Sequence, residues 1–240
     1  MEIHPIAHIQ SDFPEKFGIP RQSGIVPDLL ATVVFTPAYL DPEALRGLET
    51  FSHLWLIWEF SAVERKNDSP TVRPPRLGGN TRMGVFSTRS PYRPNPLGLS
   101  AVAIDRIDLS TPNGPVIQVL GADLLDGTPI YDIKPYLPYA DCLPQATGGF
   151  AEAAPAPTLQ IAGGDQWLRH LPQGKGDALR AILAQDPRPP YQRDPNRIYG
   201  MQFAGFEIKF RVSGDVLTIV EVCHNPEVGR RGKPAPPHGR

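Results

Sequence analysis

The chain contains many short runs in which hydrophobic and polar side chains alternate, the pattern of half-buried β-strands. One run, residues 53–60 (HLWLIWEF), is apolar on both faces and predicts a central buried strand. The other predicted strands cover residues 3–9, 30–35, 85–86, 99–107, 116–120, 206–212 and 217–222. Together these runs predict a mainly β protein with few helices.

Two short helices are also predicted. Asp41 is a typical N-cap because Pro42 follows it at the first helical position, and the inward stripe would be Ala44, Leu45 and Leu48. Asp177 is expected to cap a second helix that stops before Asp186, with an apolar stripe at Leu179, Ile182 and Leu183.

The prolines and glycines indicate turns between strands. The chain has 29 prolines and 22 glycines, scattered among apolar runs. Residues 61–83 form a polar excursion that is long for a compact domain and is therefore expected to be functional. Its Gly78–Gly79 pair lacks the strand, spacing and following helix of a Rossmann fold. The alternating strands therefore predict an antiparallel β-barrel.

Residues 151–159 (AEAAPAPTL) read as a linker and predict a domain boundary near residue 157. Residues 1–157 would form the barrel domain, and residues 158–228 a small α+β C-terminal domain. This second domain has too little core to be stable alone, so it is expected to pack on the barrel. Residues 229–240 form a basic, proline-containing tail that is predicted to be disordered.

Composition excludes several classes of protein. No run approaches the roughly 20 apolar residues of a membrane span, and the N-terminus lacks the features of a signal peptide, so a soluble cytoplasmic protein is expected. Cys142 and Cys223 are too few for a disulfide framework and are expected to be reduced and partly buried. His4 and His8 lie on one face of the first predicted strand, where such a pair is more often structural, so no metal is predicted.

Positive charge is concentrated locally although the formal net charge is −1. Residues 69–104 contain no Asp or Glu but carry Arg73, Arg76, Arg82, Arg89 and Arg93. Arg188, Arg193 and Arg197 form a second basic group. Cations without counter-ions repel one another, so a polyanion or a ligand carboxylate is expected nearby.

Residues 84–100 (GVFSTRSPYRPNPLGLS) combine Arg89 and Arg93 with three prolines. Proline restricts its own backbone and that of the preceding residue, which predicts a stiff connection between strands. A stiff loop loses little entropy when its guanidinium groups bind a ligand. A surface loop with merely solvated arginines remains the alternative.

Residues 123–141 (DLLDGTPIYDIKPYLPYAD) form a second informative stretch. Asp126, Gly127 and Thr128 predict a tight turn, and the glycine would let a planar ligand approach the backbone. The titratable and aromatic side chains that follow suit a site that stacks a base and moves a proton. Alternatively, Lys134 only pairs with Asp132.

Four motifs together resemble the TsaA-like (TrmO) family of β-barrel, S-adenosylmethionine-dependent tRNA methyltransferases. They are residues 17–24 (FGIPRQSG), 73–100 (RPPRLGGNTRMGVFSTRSPYRPNPLGLS), 123–141 and 186–191 (DPRPPY), and they occur in the family order along almost the whole chain. The resemblance implies methyl transfer to N6 of threonylcarbamoyladenosine next to the anticodon of a tRNA. It also implies a homodimer.

The resemblance further implies which residues bind and act. Cofactor contacts carry over to Pro20, Arg21, Gln22, Ser61, Ala62, Arg89, Leu99, Leu125, Asp126, Gly127 and Thr128. At Ser61–Ala62 the family often has a longer polar side chain, so only backbone contacts are expected there. Candidates for the general base that deprotonates the target nitrogen are Asp132, Tyr136, Tyr139 and Asp141.

The arginines outside the cofactor set are the expected tRNA contacts: Arg73, Arg76, Arg82, Arg93, Arg188, Arg193 and Arg197. A chain truncated near residue 157 is expected to retain cofactor binding and to bind tRNA more weakly. Two other functions fit the same residues: a module that binds nucleotide or RNA without chemistry, and a small-molecule methyltransferase on the same barrel.

Overall fold

The computed structural model describes residues 2–63, 69–153, 158–189, 192 and 194–225. The strands within these ranges are β1 (Ala7–Gln10), β2 (Leu30–Phe35), β3 (His53–Glu59), β4 (Thr71–Val72), β5 (Met83–Gly84), β6 (Leu97–Thr111), β7 (Gly114–Leu120), β8 (Pro129–Pro135), β9 (Gln160–Ala162), β10 (Tyr199–Phe203), β11 (Phe206–Ser213) and β12 (Val216–His224). The α-helices are α1 (Pro138–Asp141), α2 (Asp165–Leu168) and α3 (Lys175–Ala184). The mainly β prediction is confirmed.

Six strands close into a barrel in the order β1-β2-β7-β6-β3-β8. Every pair in the barrel is antiparallel, and β8 closes the circle by pairing with both β3 and β1. The predicted barrel is therefore confirmed. The core inside it is built from alternate residues of the strands, among them Ile9, Val33, Leu54, Leu56, Ile117, Val119 and Ile130.

Strand β3 lies between β6 and β8, but only one of its faces is buried. Leu54, Leu56 and Trp58 point into the barrel, while the intervening residues are exposed or half-buried. The expectation that both faces are buried is therefore wrong. A single closed sheet leaves its outer face to solvent wherever no other element covers it, even when the outer residues are as apolar as Trp55 and Ile57.

The predicted strand at residues 85–86 is also wrong. Strand β5 ends at Gly84, and Val85–Ser87 forms a single 3₁₀ turn. Successive residues of such a turn point about 120° apart, so Val85 and Phe86 cannot both face the core. Val85 is buried, whereas 78% of Phe86 is exposed.

The two helix predictions are partly confirmed. The Asp41 carboxylate accepts a hydrogen bond from the Glu43 backbone N–H at 3.0 Å and caps a 3₁₀ turn at Pro42–Leu45, whose buried residue is Leu45. Helix α3 begins after Gly174, so Asp177 does not cap it but lies within its first turn, where a negative charge is favoured by the helix dipole. The predicted apolar stripe of α3 is buried.

The C-terminal module comprises the sheet β10-β11-β12-β9 together with α2 and α3. The predicted hairpin of β11 and β12 is confirmed, and β9 joins its edge in parallel to β12. The core of the module is fully buried and includes Leu179, Leu183, Met201, Phe203, Ile208, Phe210 and Leu217. Phe13, Val26 and Leu29, from the connection between β1 and β2, belong to the same core.

The antiparallel topology determines at which end of the barrel each connection lies. Strands β1, β3 and β7 finish, and strands β2, β6 and β8 begin, at one end of the barrel, which we name the upper end. The connections 11–29, 60–96 and 121–128 therefore all emerge there. Residues 36–52, residues 112–113 and the chain leaving β8 lie at the opposite, lower end.

None of the described helices is long and apolar enough to cross a membrane. Cys142 and Cys223 are free and exposed, so the expectation that they are partly buried is wrong. Residues 226–240, which include most of the predicted tail, lie outside the described residues, as do residues 154–157 of the predicted linker.

Candidate functional site

The upper end of the barrel brings together every segment predicted to bind the cofactor. Pro20, Arg21 and Gln22 lie in the connection 11–29, Ser61 and Ala62 directly follow β3, and Arg89 lies in the connection 60–96. Leu99 lies near the start of β6. Residues 125–128 lie immediately before β8.

Polar contacts join the three upper connections to one another. The Arg89 guanidinium donates to the Gln22 side-chain oxygen, and the Lys16 ammonium donates to the Ala62 carbonyl. The Gly24 N–H donates to the Gly121 carbonyl at 2.9 Å. The predicted contacts at Gln22, Ala62 and Arg89 are therefore held in one structural unit, although they are distant in sequence.

The turn at residues 125–128 is held by backbone and side-chain hydrogen bonds. The Gly127 N–H donates to the Ile9 carbonyl at 2.8 Å, and the Thr128 hydroxyl donates to the Leu125 carbonyl at 2.7 Å. The Asp126 carboxylate accepts from the Ser11 N–H at 3.0 Å. The Asp126 and Thr128 side chains thus shape the turn itself.

Gly127 opens this turn to a ligand. Its φ of +76° lies in the region that favours glycine, and a Cβ built on it would meet no heavy atom within 4 Å. A flat ligand therefore has room to approach the backbone here, as the sequence predicted.

A buried polar chain connects the barrel interior with the upper end. The Trp58 indole N–H donates to the Ser100 hydroxyl at 3.0 Å, and that hydroxyl donates to an Asp123 carboxylate oxygen at 2.6 Å. The indole ring also packs on the backbone of Gly98, where a Cβ would come within 2.3 Å of it. Asp123 lies in the connection 121–128.

Asp123 is a carboxylate in an environment that opposes its charge. Burial raises the pKa of Asp123, while the Ser100 hydrogen bond and the positive charge of Arg89 act in the opposite direction. Arg89 is thus attracted towards Asp123 on one side and bound by Gln22 on the other.

A second carboxylate at the upper end is held by a tyrosine. The register of β3 and β8 shifts between Ile57 and Trp58, which leaves Tyr131 as an extra residue in β8. The Tyr131 phenol donates to the Glu59 carboxylate at 2.6 Å. This hydrogen bond, with burial and the charge of Glu59, raises the pKa of Tyr131 to about 12. Tyr131 therefore remains a hydrogen-bond donor at neutral pH.

The four predicted catalytic residues do not lie together in the structure. Asp132 pairs with Ile57, which pairs in turn with Leu99, so Asp132 and Leu99 lie in one row of the outer face. An ion pair of 2.9 Å joins Asp132 to Lys134, which is the alternative that the sequence left open.

The other three predicted catalytic residues lie at the lower end. Tyr136 and Tyr139 follow β8, and the Asp141 carboxylate accepts from the Trp55 indole at 3.0 Å and from the Leu137 N–H at 2.8 Å. Because β8 spans seven residues, about 20 Å of strand separates them from the turn at Gly127. Within one chain they are not brought together with the cofactor segments.

The arginines of the connection 60–96 bind neutral oxygens. Arg76 donates to the Ala153 carbonyl, Arg82 to the Thr71 hydroxyl at 2.9 Å, and Arg93 to the Thr88 carbonyl at 3.1 Å. These contacts orient the guanidinium groups, and none of the three forms an ion pair with a carboxylate in the part of the chain that the structure describes. Arg73 lies in the same connection, directly after β4.

The second basic group is less uniform. Arg188 forms two hydrogen bonds with the Asp186 carboxylate at 2.8 and 2.9 Å, and only 9% of its side chain is exposed, so its charge is already matched. Arg197 lies over the Tyr199 ring at 5.2 Å. Arg193 lies outside the described residues.

Sequence reasoning missed the polar chain from Trp58 through Ser100 to Asp123, and Glu59. A serine in the apolar run of β6 and an aspartate soon after β7 were the available signals. Neither signal shows that the two residues meet. Among the described residues no group of three His, Cys, Asp or Glu side chains is arranged to hold a metal ion.

Comparisons with known proteins agree with this architecture. Residues 8–142 match the tRNA-methyltransferase O N-terminal domain, and residues 164–225 match the TrmO C-terminal domain. A crystal structure of TrmO from Pseudomonas aeruginosa has a TM-score of 0.72 and 32% identity, and the match covers 93% of this chain and 98% of that chain.

Two curated bacterial relatives match over nearly their whole length. The tRNA (adenine(37)-N6)-methyltransferase of Escherichia coli (strain K12) is 39% identical over 220 residues, which cover 88% of this chain and 93% of that protein. A putative S-adenosylmethionine-dependent methyltransferase of Pseudomonas aeruginosa is 38% identical over 230 residues, with 92% and 97% covered. The chain therefore belongs to the tRNA-methyltransferase O (TrmO) family, as its motifs indicated.

Proposed function

We propose that this protein transfers a methyl group from S-adenosylmethionine to N6 of adenosine 37 of a tRNA, in its threonylcarbamoylated form. The observation that carries the proposal is the meeting of Arg89, Gln22 and the open turn at Gly127 at one end of the barrel. The Escherichia coli relative is a tRNA (adenine(37)-N6)-methyltransferase, which supports methyl transfer to N6 of adenosine 37.

The residues at the upper end fit this cofactor. Arg89 offers a charged donor for the methionine carboxylate, and it is already oriented by Gln22 and Asp123. Leu99 is 54% exposed and supplies an apolar surface for the adenine, whose edge the backbone around Gly127 can read. Pro20, Arg21, Ser61 and Ala62 lie in connections at the same end of the barrel. S-adenosylmethionine, when bound, supplies an electrophilic methyl group.

The chain must also accept a proton from the target nitrogen. N6 of a carbamoylated adenosine resembles a urea nitrogen and becomes a good nucleophile only when its proton leaves, so a general base is expected. Asp132 on the outer face of β8 and Glu59 at the end of β3 are the candidate carboxylates for this role. Tyr131 holds Glu59 in position.

The connection 60–96 is the proposed RNA surface. Its Arg73, Arg76, Arg82 and Arg93 lie in a stretch without acidic residues and suit phosphate groups. Phe86 and Tyr92, which are 78% and 57% exposed, lie among these arginines and suit stacking on unpaired bases of an anticodon loop. Arg197 of the C-terminal module is a further candidate contact.

We also propose that two copies of the chain form the active enzyme. The outer face of β6 carries exposed apolar side chains beside the upper end, where 39% of Leu97 and 54% of Leu99 are exposed. A second copy that covers this face gives Tyr136, Tyr139 and Asp141 a route to a cofactor site, namely that of the partner.

Incubation with S-adenosylmethionine and unmethylated tRNA tests the function directly. Mass spectrometry of the nucleosides should show a methyl group added to threonylcarbamoyladenosine. Cofactor binding without S-adenosylhomocysteine formation would favour a binding module. Methylation of small acceptors with unchanged tRNA would favour a small-molecule methyltransferase.

Arg89→Ala should weaken S-adenosylmethionine binding by about 1.5 to 3 kcal/mol, the usual strength of a hydrogen bond to a charged group. Calorimetry measures the change. Arg46→Ala, which removes an exposed arginine paired with Glu43 at the lower end, is the matched control. Equal affinities of the two variants would exclude Arg89 as the carboxylate ligand.

Asp123→Asn should have opposite effects on stability and on cofactor binding. Because burial raises the pKa of Asp123 in the folded state, the free energy of unfolding of the wild type should fall as pH rises from the ordinary value of 3.8 through the raised pKa. Asparagine does not titrate, so the variant lacks this loss. The free energy of unfolding of Asp123→Asn minus that of the wild type should therefore increase over this pH range and stay constant above it. Its S-adenosylmethionine affinity should fall, because Arg89 loses an attracting charge.

Urea denaturation at several pH values and calorimetry measure the two effects of Asp123→Asn. Asp105→Asn, at an exposed position of β6, is the control and should change neither. A stability difference between Asp123→Asn and wild type that is independent of pH would contradict the prediction.

Phe86→Ala should weaken tRNA binding by about 1–3 kcal/mol without altering its salt dependence, because stacking releases no counterions. Arg82→Ala should instead lower the log–log salt slope by roughly 0.7. Leu109→Ala removes an exposed apolar side chain at the lower end and should change neither quantity. A salt slope altered by Phe86→Ala, or unchanged by Arg82→Ala, would refute this assignment of roles.

Sedimentation at micromolar concentration should give twice the mass of one chain. Leu97→Glu, which places a charge on the proposed interface, should shift the protein towards the monomer, whereas Leu109→Glu on the same strand should not. A wild-type monomer would remove the dimer from the proposal.

A further inference from the structure

The connection 11–29, which we name the cofactor loop, carries Pro20, Arg21 and Gln22. Hydrogen bonds to the connection 121–128 attach it to the barrel near its two ends. At its start the Ser11 N–H binds Asp126, and towards its end hydrogen bonds of 2.9 Å join Gly121 to Gly24 and Leu29. Between these points the side chains of Lys16 and Gln22 contact Ala62 and Arg89 of the connection 60–96.

The apolar side chains of the cofactor loop are buried in the C-terminal module. Phe13, Val26 and Leu29 are each no more than 3% exposed and belong to the core of the module. The Phe13 ring lies 5.4 Å from that of Phe203, and the Phe17 ring stacks on Phe210 at 6.3 Å with planes 2° apart. The module thus covers the side of the loop that carries these apolar side chains.

Close backbone packing occurs two residues before Pro20. Gly18 has a φ of +93°, and a Cβ placed on it would come within 2.4 Å of the terminal methyl group of Met201. Met201 is itself fully buried in β10. The turn that leads into Pro20, Arg21 and Gln22 therefore rests directly on a strand of the module.

Polar contacts hold the first half of the loop. The Lys175 ammonium, at the start of α3, pairs with the Asp12 carboxylate, and both side chains are about one-fifth exposed. The Gln202 N–H donates to the Glu15 carboxylate at 3.0 Å, and the Ala204 N–H donates to the Asp12 carbonyl at 3.0 Å.

We infer that the C-terminal module positions the part of the cofactor site that lies on the cofactor loop, and that Lys175, Met201 and Gln202 are positioning residues for cofactor binding. The inference rests on the proposed function. A loop already fixed against a rigid support loses less conformational entropy when its Arg21 and Gln22 meet a ligand. Gln22 accepts a hydrogen bond from Arg89. Fixing the loop therefore also restricts Arg89, the proposed donor to the methionine carboxylate.

The inference changes the role expected for residues 158–228. A chain truncated near residue 157 would expose Phe13, Val26 and Leu29 and release the loop, so it would lose cofactor affinity. The expectation that such a chain retains cofactor binding does not fit these contacts. Cofactor affinity and order in the module are instead coupled.

The test uses full-length Lys175→Gln, which removes the pair with Asp12 and touches no proposed cofactor ligand. We expect S-adenosylmethionine to bind about 2- to 30-fold more weakly by calorimetry, the range of couplings transmitted through positioning residues. Lys209→Gln is the matched control, because it removes an equal charge from a more exposed pair with Glu221 in the same module. Lys175→Arg should restore affinity.

Hydrogen exchange without any cofactor supplies the second measurement. The amides of residues 13–24 should exchange faster in Lys175→Gln than in wild type, and Lys209→Gln should leave them unchanged. Glu15→Ala, which removes the acceptor for Gln202, should act in the same direction as Lys175→Gln.

The outcomes separate the inference from the proposed function. A wild type that binds no S-adenosylmethionine would refute the proposed function, while the exchange measurement would still test the support of the loop. The inference would be overturned if Lys175→Gln and Glu15→Ala had the same cofactor affinity and the same amide exchange rates as Lys209→Gln.

Discussion

Closure of one antiparallel sheet is the constraint on which the rest of the structure depends. Each strand in the closed circle has partners on both sides, and every neighbouring pair is antiparallel. That alternation sends three connections to the same end of the barrel and thereby assembles Gln22, Ala62, Arg89 and Gly127. No Gly-rich loop at a helix N-terminus is needed, because the site is made from connections rather than from a βαβ unit.

Charge at this end is organised by groups that are not themselves expected to touch the cofactor. Asp123 lies at the end of a hydrogen-bonded chain that begins inside the barrel at Trp58. An ionised carboxylate in such a place is costly, and its cost is reduced by Ser100 and by attraction to Arg89. The same attraction restricts the guanidinium, so a buried carboxylate orients an exposed arginine before any ligand arrives.

The sequence was most informative where a regular alternation of hydrophobic residues or a single short motif determines the local structure. Strand β2 was predicted at its observed bounds, and the glycine turn at residue 127 was recognised from Asp, Gly and Thr in succession. Phe86 was misplaced because two adjacent apolar residues do not distinguish a strand from a 3₁₀ turn. The contacts of Asp123 and of the cofactor loop could not be predicted, because they join residues far apart in sequence whose approach depends on barrel closure and module packing.

The shared core also has a consequence for the order in which the protein forms during synthesis. Glu15 and Gln202 are 187 residues apart, so at about 5–20 residues per second about 10–40 s pass between the synthesis of the loop and that of its support. Phe13, Val26 and Leu29 have no core to enter during that interval. The nascent chain therefore carries an exposed apolar segment near its N-terminus, which is a natural target for chaperones, and becomes competent to bind its cofactor only after the last strands leave the ribosome.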